Sequence, residues 1–378
     1  MNWVVNKLRG ISLKQRIFLV MLFVTLIASF IFVYQNHAFY DQPIVEVVEV
    51  TSEDREEVED TNQNQDVVYT QHLVSELKNG EQKGELVYFT NDYSESSAHH
   101  PQLRVGQDVF ITVDSRDSDG NLTGSIIEVK RDHILLIVTW VFIFVLLLVG
   151  RRQGFYAIIG LVVNALLISY ALDVYIHTSD ISLLLIMSIT VILMTVLSLL
   201  FVSGFTEKTY AAIVATLLGT FGLLFITIFA LWLTNEQGIR YEEMAFLTRP
   251  PEAVFMAGVL VGALGAVMDV GVTIASSLFG LYEKNHQISV KDLKASGYEI
   301  GKDIMGTMTN ILFFAYVSGT IPSLILYFKN AATLEYTLSM NLSLELTRAL
   351  AGGIGIVLTI PIGIYTTIFF INRKRSNI

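Results

Sequence analysis

"VLVGALGAVMDVGVTIASSLFG", residues 259–280, is apolar or small at nearly every position, yet it carries one carboxylate, Asp269. A membrane-spanning helix needs about 20 consecutive, mostly apolar residues, so this run reads as a span and sets the class of the whole chain. The composition agrees: 52% of residues are hydrophobic and only 16% charged, outside the usual range of soluble domains. The chain has no cysteine, which excludes disulfides, thiolate metal sites and cysteine nucleophiles. Its basic runs, such as Arg373–Arg375, are short and flank apolar stretches. That is the pattern of cytoplasmic loops rather than of a nucleic-acid surface.

Working outward from residues 259–280, eight runs have spanning length: 17–34, 133–150, 154–173, 181–203, 209–233, 253–281, 304–327 and 346–371. The first follows a basic start like that of a signal peptide, but it is long and no small-x-small cleavage site follows, so an uncleaved anchor is expected. Lys7, Arg9, Lys14 and Arg16 precede the first run, Arg151 and Arg152 follow the second, and Lys208 follows the fourth. Positive residues mark the cytoplasmic side, so with eight spans both termini are expected inside and residues 36–131 outside the cytosol. Three regions follow: 1–35 (N-terminus and first span), 36–131 (extracytoplasmic) and 132–378 (a seven-helix transmembrane domain). The expected location is a bacterial cytoplasmic membrane.

Residues 41–131 hold 20 Asp and Glu against 7 Lys and Arg. Within them, 44–50, 66–74, 84–91, 108–114 and 125–130 are short β-rich runs separated by turn residues. "KNGE" (78–81) reads as a hairpin turn, because Asn and Gly tolerate positive φ. Five strands in so short a segment suggest a small barrel, OB-like in type. "EDREEVED" (53–60) could bind cations but reads as a solvated loop. His99 and His100 could ligate a metal, but adjacent strand residues point to opposite faces and no third ligand is evident. No metal or cofactor is expected.

Asp269 lies close to the midpoint between Glu252 and Glu283, within about 3 Å of mid-membrane at 1.5 Å per residue. An ionised carboxylate facing lipid there would cost about 2.5–3.5 kcal/mol or more, so it is expected to face protein or water. At 100° per residue, Gly258, Gly262, Gly265, Thr273, Ser276 and Gly280 all fall within about 40° of it. The opposite face carries Leu260, Leu264, Val267, Ile274 and Leu278. Small residues allow another helix to approach closely, and Thr273 and Ser276 supply hydroxyls in the two turns after Asp269. Two readings stand. Asp269 serves only as an interhelical hydrogen-bonding group, or it binds and releases a proton.

The expected neighbour is the seventh run, where Asp303, Thr307, Asn310 and Phe314 recur at helical spacing. Antiparallel packing puts Asp303 near the cytoplasmic end, as a candidate gate or simply a first-turn carboxylate. Thr307 and Asn310 follow toward the Asp269 level. Ser289 with Asp292 three residues on resembles a capping box, predicting a short interfacial helix before this span. Asn164 lies within the third run, Glu345 and Arg348 form an expected interfacial ion pair, and "RPPE" (249–252) punctuates the start of the sixth.

The stretches "GALGAVMDVGVTIASSLFGLYEKN", "GYEIGKDIMGTMTNILFFAYVSGTIPSLI" and "LSLLFVSGFTEKTYAAIVATLLGT" together resemble the YibE/F family of bacterial multispanning proteins. The outer domain after the first span resembles the larger member of that family. More distantly, a helix with a mid-membrane Asp followed by an amphipathic stretch and a Thr- and Asn-bearing helix is similar to the SecDF and RND permease core. That similarity implies proton-coupled movement at Asp269, with spans four to eight forming one RND-like half and spans two and three inserted. Such cores work as paired halves, and this chain has one "MDVG" motif. A dimer is therefore implied, either with a second copy or with a paralogue lacking the outer domain.

The expected function is thus a transporter, or an energy-coupling subunit of one, driven by protons through Asp269 and not an enzyme. The competing expectation is a scaffold or sensor whose outer domain binds an envelope component. The Gly-x-Gly-Asp pattern of an intramembrane aspartyl protease is absent around Asp269.

Overall fold

The computed structural model describes residues 13–61, 63–96, 101–116, 120–178, 181–235, 239–244 and 249–376. The chain divides into two compact units, Met1–Val145 and Leu146–Ile378. The boundary falls inside a helix.

The first unit opens with α1 (Leu13–Gln35) and a 3-10 turn (Asn36–Phe39), followed by β1 (Ile44–Glu59), β2 (Gln65–Leu77), β3 (Leu86–Ser94), β4 (Asp108–Arg116) and β5 (Leu122–Val129). The strands close into a barrel in the order β1-β2-β3-β5-β4, with β3 and β5 parallel and every other pair antiparallel. This is the OB-like arrangement. Alternation along β3 sends Val87, Phe89 and Asn91 inward, where the apolar pair packs with Val45, Val47, Leu73 and Ile111. Buried Asn91 donates to Gln71 Oε1 at 3.0 Å, and the same oxygen accepts from the Leu103 amide at 2.9 Å, fixing the segment before β4.

Two expectations change here. The acidic run 53–60 is strand rather than loop: β1 continues through Glu59, pairing Glu53 with Gln71 and Glu59 with Gln65. Its partner strand supplies the β-branched and aromatic residues Val67, Val68 and Tyr69, which sustain a ladder that the charges alone would not. In "KNGE", Gly80 has the positive φ of a turn, +82°, but Asn79 does more than turn the chain. Its Oδ1 accepts from the Ile44 amide at 2.7 Å, and its Nδ2 donates to the carbonyls of His37, Tyr40 and Gln42 at 2.9–3.1 Å. His99 and His100 lie outside the described residues.

The chain then enters α2 (Asp132–His177). Lys130, 4% exposed, donates to the Val33 carbonyl at 2.9 Å and pairs with Asp132 at 3.1 Å. Trp140 Nε1 donates to Ser29 Oγ at 2.9 Å. These bonds join the start of α2 to α1, which is why the first unit extends past the barrel. Tyr40 donates to Asp132 at 3.2 Å, and burial followed by that carboxylate pushes its phenol above the usual range.

A helix of 46 residues would be about 69 Å long, twice the roughly 30 Å hydrocarbon core. α2 is broken at Arg151, where φ is 48° and ψ −118°. A Cβ on Gly154 would overlap the carbonyl oxygen of Leu146. Eight residues apart in a straight helix are about 12 Å apart, so the chain bends sharply at this point. The two runs 133–150 and 154–173 therefore occupy the two parts of α2.

The second unit continues with α3 (Leu183–Ser203), α4 (Glu207–Leu233), α5 (Pro251–Lys284), α6 (Val290–Ser318), α7 (Ile321–Lys329), α8 (Leu334–Asn341) and α9 (Ser343–Ser376). Among the described residues, six helices are long and apolar enough to span a membrane, or seven if α6 and α7, bent by 52°, make one broken span. Apolar side chains such as Leu148 (78% exposed) and Tyr170 (69%) face outward, as suits a lipid solvent. The chain is a multi-pass membrane protein.

Small residues set the core. Gly219 of α4 lies against Thr359 of α9, Gly271 of α5 against Thr216 of α4, and Gly355 of α9 against Val267 of α5. Each glycine lets a neighbouring helix approach to near backbone contact. Ser289 caps α6 as expected, accepting from the Asp292 amide at 3.1 Å. The helix is not the short one expected, however. It runs unbroken to Ser318, because Gly297 and Gly301 serve as contacts against Ile364 and Ile360 of α9 rather than as breaks.

Candidate functional site

α5 begins with Pro251 in its first turn, where the missing N–H is not needed, and Asp269 is near its middle. The two faces read from the sequence have separate fates. Leu260, Leu264, Val267, Ile274 and Leu278 are 0–3% exposed and pack against the rest of the bundle. On the other side Gly262, Gly265 and Asp269 are exposed, and Gly258, Thr273, Ser276 and Gly280 are partly so. Among the described residues, neither Asp269 nor the Thr273 and Ser276 hydroxyls have a hydrogen-bond or ion-pair partner. The carboxylate near the middle of α5 thus stands on an open face of this chain, with a row of small residues above and below it.

α6 packs beside α5 and along α9, but not with the expected side inward. Its buried or partly buried side holds Leu293, Gly297, Gly301, Leu312 and Tyr316. Asp303, Thr307 and Asn310 lie roughly opposite Leu312 at 100° per residue and are exposed. Thr307 donates back to the Ile304 carbonyl at 2.9 Å. Asn310 borders a groove of about 700 Å³ between α6 and α9, with Thr309, Phe313, Leu346, Leu350 and Gly353. The structure therefore does not bring Thr307 or Asn310 into contact with Asp269.

Asp303 also differs from its expected setting. α6 starts at Val290, so Asp303 is well inside the helix and is not a first-turn carboxylate. Gly301, two residues before it, contacts Ile360 near the middle of α9, so Asp303 sits at mid-helix depth rather than at the end of the bundle.

The residue that α6 does place on the Asp269 face is Tyr316. Its hydroxyl occupies the space where a Cβ on Gly262 would stand. One turn earlier, the Arg348 guanidinium of α9 lies over Gly258, with Nε 3.7 Å from the position of a Cβ. Arg348 is ion-paired with Glu345, the side chains being 18% and 21% exposed, and stacks over the Phe255 ring at 5.3 Å. Tyr316 OH and Arg348 Nε are both buried without a hydrogen-bond partner among the described residues. The sequence signal for this cluster was the spacing of Gly258 and Gly262, which accounts for close approach without saying what approaches. Asn164 and Ser198, elsewhere in the unit, form a reciprocal pair at 2.9 and 3.0 Å and serve as a helix-to-helix bond.

A family model described as "YibE/F-like protein" matches residues 138–373, and another described as "YibE/F family N-terminal domain" matches residues 38–129. No curated protein and no solved structure gives a match.

Proposed function

The chain belongs to the YibE/F-like family, and from that premise we propose that it is a transporter, or the energy-coupling subunit of one, driven by proton movement through Asp269. The observation that carries this reading is the placement of Asp269, near the middle of α5 on an exposed face of glycine, threonine and serine, without a partner among the described residues. A charge at that depth is costly against lipid, so the face is covered by protein or water in the working assembly. A second copy, or a paralogue lacking the barrel, supplies that cover. A mid-helix carboxylate covered by a partner is what a SecDF- or RND-like core would require, although Thr307 and Asn310 do not face Asp269 as that resemblance implied.

In the topology we propose, the two parts of α2 are separate spans and α6 with α7 forms one, giving eight. Both termini are cytoplasmic, the barrel is extracytoplasmic, and the membrane is the bacterial cytoplasmic one. The N-terminal end of α5 then faces outward.

The test is substitution in cells. Asp269→Asn keeps the shape but cannot ionise, and with expression unchanged it should reproduce the phenotype that deletion of the gene produces, while Asp269→Glu retains part of the function. Full function in Asp269→Asn would refute the reading. If the barrel on one unrelated span restored function, a scaffold or sensor would replace it.

A further inference from the structure

A buried hydroxyl without a partner is uncommon in folded proteins and calls for an explanation. Tyr316 OH is one, and its position on the Asp269 face gives it a direction. Gly258, Gly262, Gly265 and Asp269 lie in one row down α5. The Arg348–Glu345 pair lies at Gly258 and Tyr316 OH at Gly262, while nothing lies within 4 Å of a Cβ placed on Gly265. From Gly262 to Asp269 the rise is about 10.5 Å, a length that a short file of waters bridges. In the topology above, Gly258 is on the outer side.

We propose that Glu345, Arg348 and Tyr316 form the outer half of the proton path to Asp269. This rests on the reading of Asp269 as a proton carrier. The charged groups acting on Tyr316 are Glu345 and Arg348 of α9. α5 presents only glycine at that level, and Asp303 on α6 itself is more than three turns away. The step balances simply. A proton from the outer medium reaches the Tyr316 oxygen as the hydroxyl passes its own proton down the water file, and the Asp269 carboxylate becomes a carboxylic acid. Tyr316 ends as it began. Arg348 stays charged throughout and is held by Glu345, so Tyr316 and Arg348 are positioning and relay groups, while Asp269 alone stores the proton. The absence of a side chain at Gly265 keeps the file open.

The experiment uses the full chain in liposomes with the barrel side outward. Proton uptake is followed as the infrared C=O band of protonated Asp269, identified by its loss in Asp269→Asn. Acid is released by photolysis of a caged proton, either outside or trapped in the lumen. Tyr316→Phe should leave the final amplitude unchanged and slow the rise about tenfold or more after outside release, with no change after lumenal release. Gly265→Leu, which fills open space, should slow the same side, and it serves if Tyr316→Phe fails to fold. Unchanged rates in both variants, or equal slowing from both sides, would overturn the relay while leaving Asp269 as carrier. If no such band rises in the unsubstituted protein, the proton reading and the relay fall together.

Discussion

The hydroxyl of Tyr316 fills the space that a side chain on Gly262 would need, while the next glycine on the same face, Gly265, has nothing near it. The two glycines therefore make opposite predictions. Gly262→Val must displace the Tyr316 ring and should destabilise by about 1–3 kcal/mol, as overpacking does. Gly265→Val should stay within about 0.5 kcal/mol. Thermal unfolding of the two purified variants in detergent checks the contrast, and equal losses would contradict the packing described.

Asn79 ties the barrel to the segment leaving α1. Asn79→Ala strands the Ile44 amide and removes the donor to three carbonyls, and leaving buried polar groups unpaired costs about 1–3 kcal/mol each. The expected result is faster hydrogen exchange at Ile44 and easier proteolysis between residues 36 and 44, with the transmembrane helices unaffected.

Lys78 lies 2.6 Å from Glu46 and 3.0 Å from Glu76. The bond to Glu46, followed by that to Glu76, outweighs burial and raises the lysine above its ordinary value. A raised folded-state value means that the stabilisation is fully present below the ordinary lysine range and is lost as pH rises through the folded one. Barrel stability should therefore fall at strongly alkaline pH. In Lys78→Met that alkaline loss should shrink, as followed by unfolding midpoints across the range.

Asn164 and Ser198 satisfy each other inside the second unit. Asn164→Leu should leave Ser198 without that partner and lower the thermal midpoint, while the double variant Asn164→Leu, Ser198→Ala should recover much of the loss. Additive losses in the cycle would show that the pair contributes nothing beyond its separate residues.

Much of this organisation was legible in the sequence. All five β-rich runs are strands, because alternation and turn residues are local signals. The two faces of α5 followed from 100° periodicity, and one is buried as the apolar side should be. What periodicity cannot supply is a partner. The acidic run 53–60 is strand because β2 pairs with it. The helix expected to be short after Ser289 continues, because Gly297 and Gly301 are where Ile364 and Ile360 fit, and Asp303 is therefore not at its start. Thr307 and Asn310 shared the expected spacing, but the side of α6 that meets its neighbours was decided by Leu312 and Tyr316. The break at Arg151 joins two apolar runs into one irregular helix, and the sequence marks it only by Gly150 and Gly154 on either side.

The central claim is that Asp269 takes up and releases a proton within the bilayer. The most direct measurement is an infrared difference titration of the full chain in lipid, cycled between acidic and alkaline pH, compared with Asp269→Asn. A reversible protonated-carboxyl band is expected in the unsubstituted protein and missing from the variant. Identical difference spectra from the two proteins would contradict it.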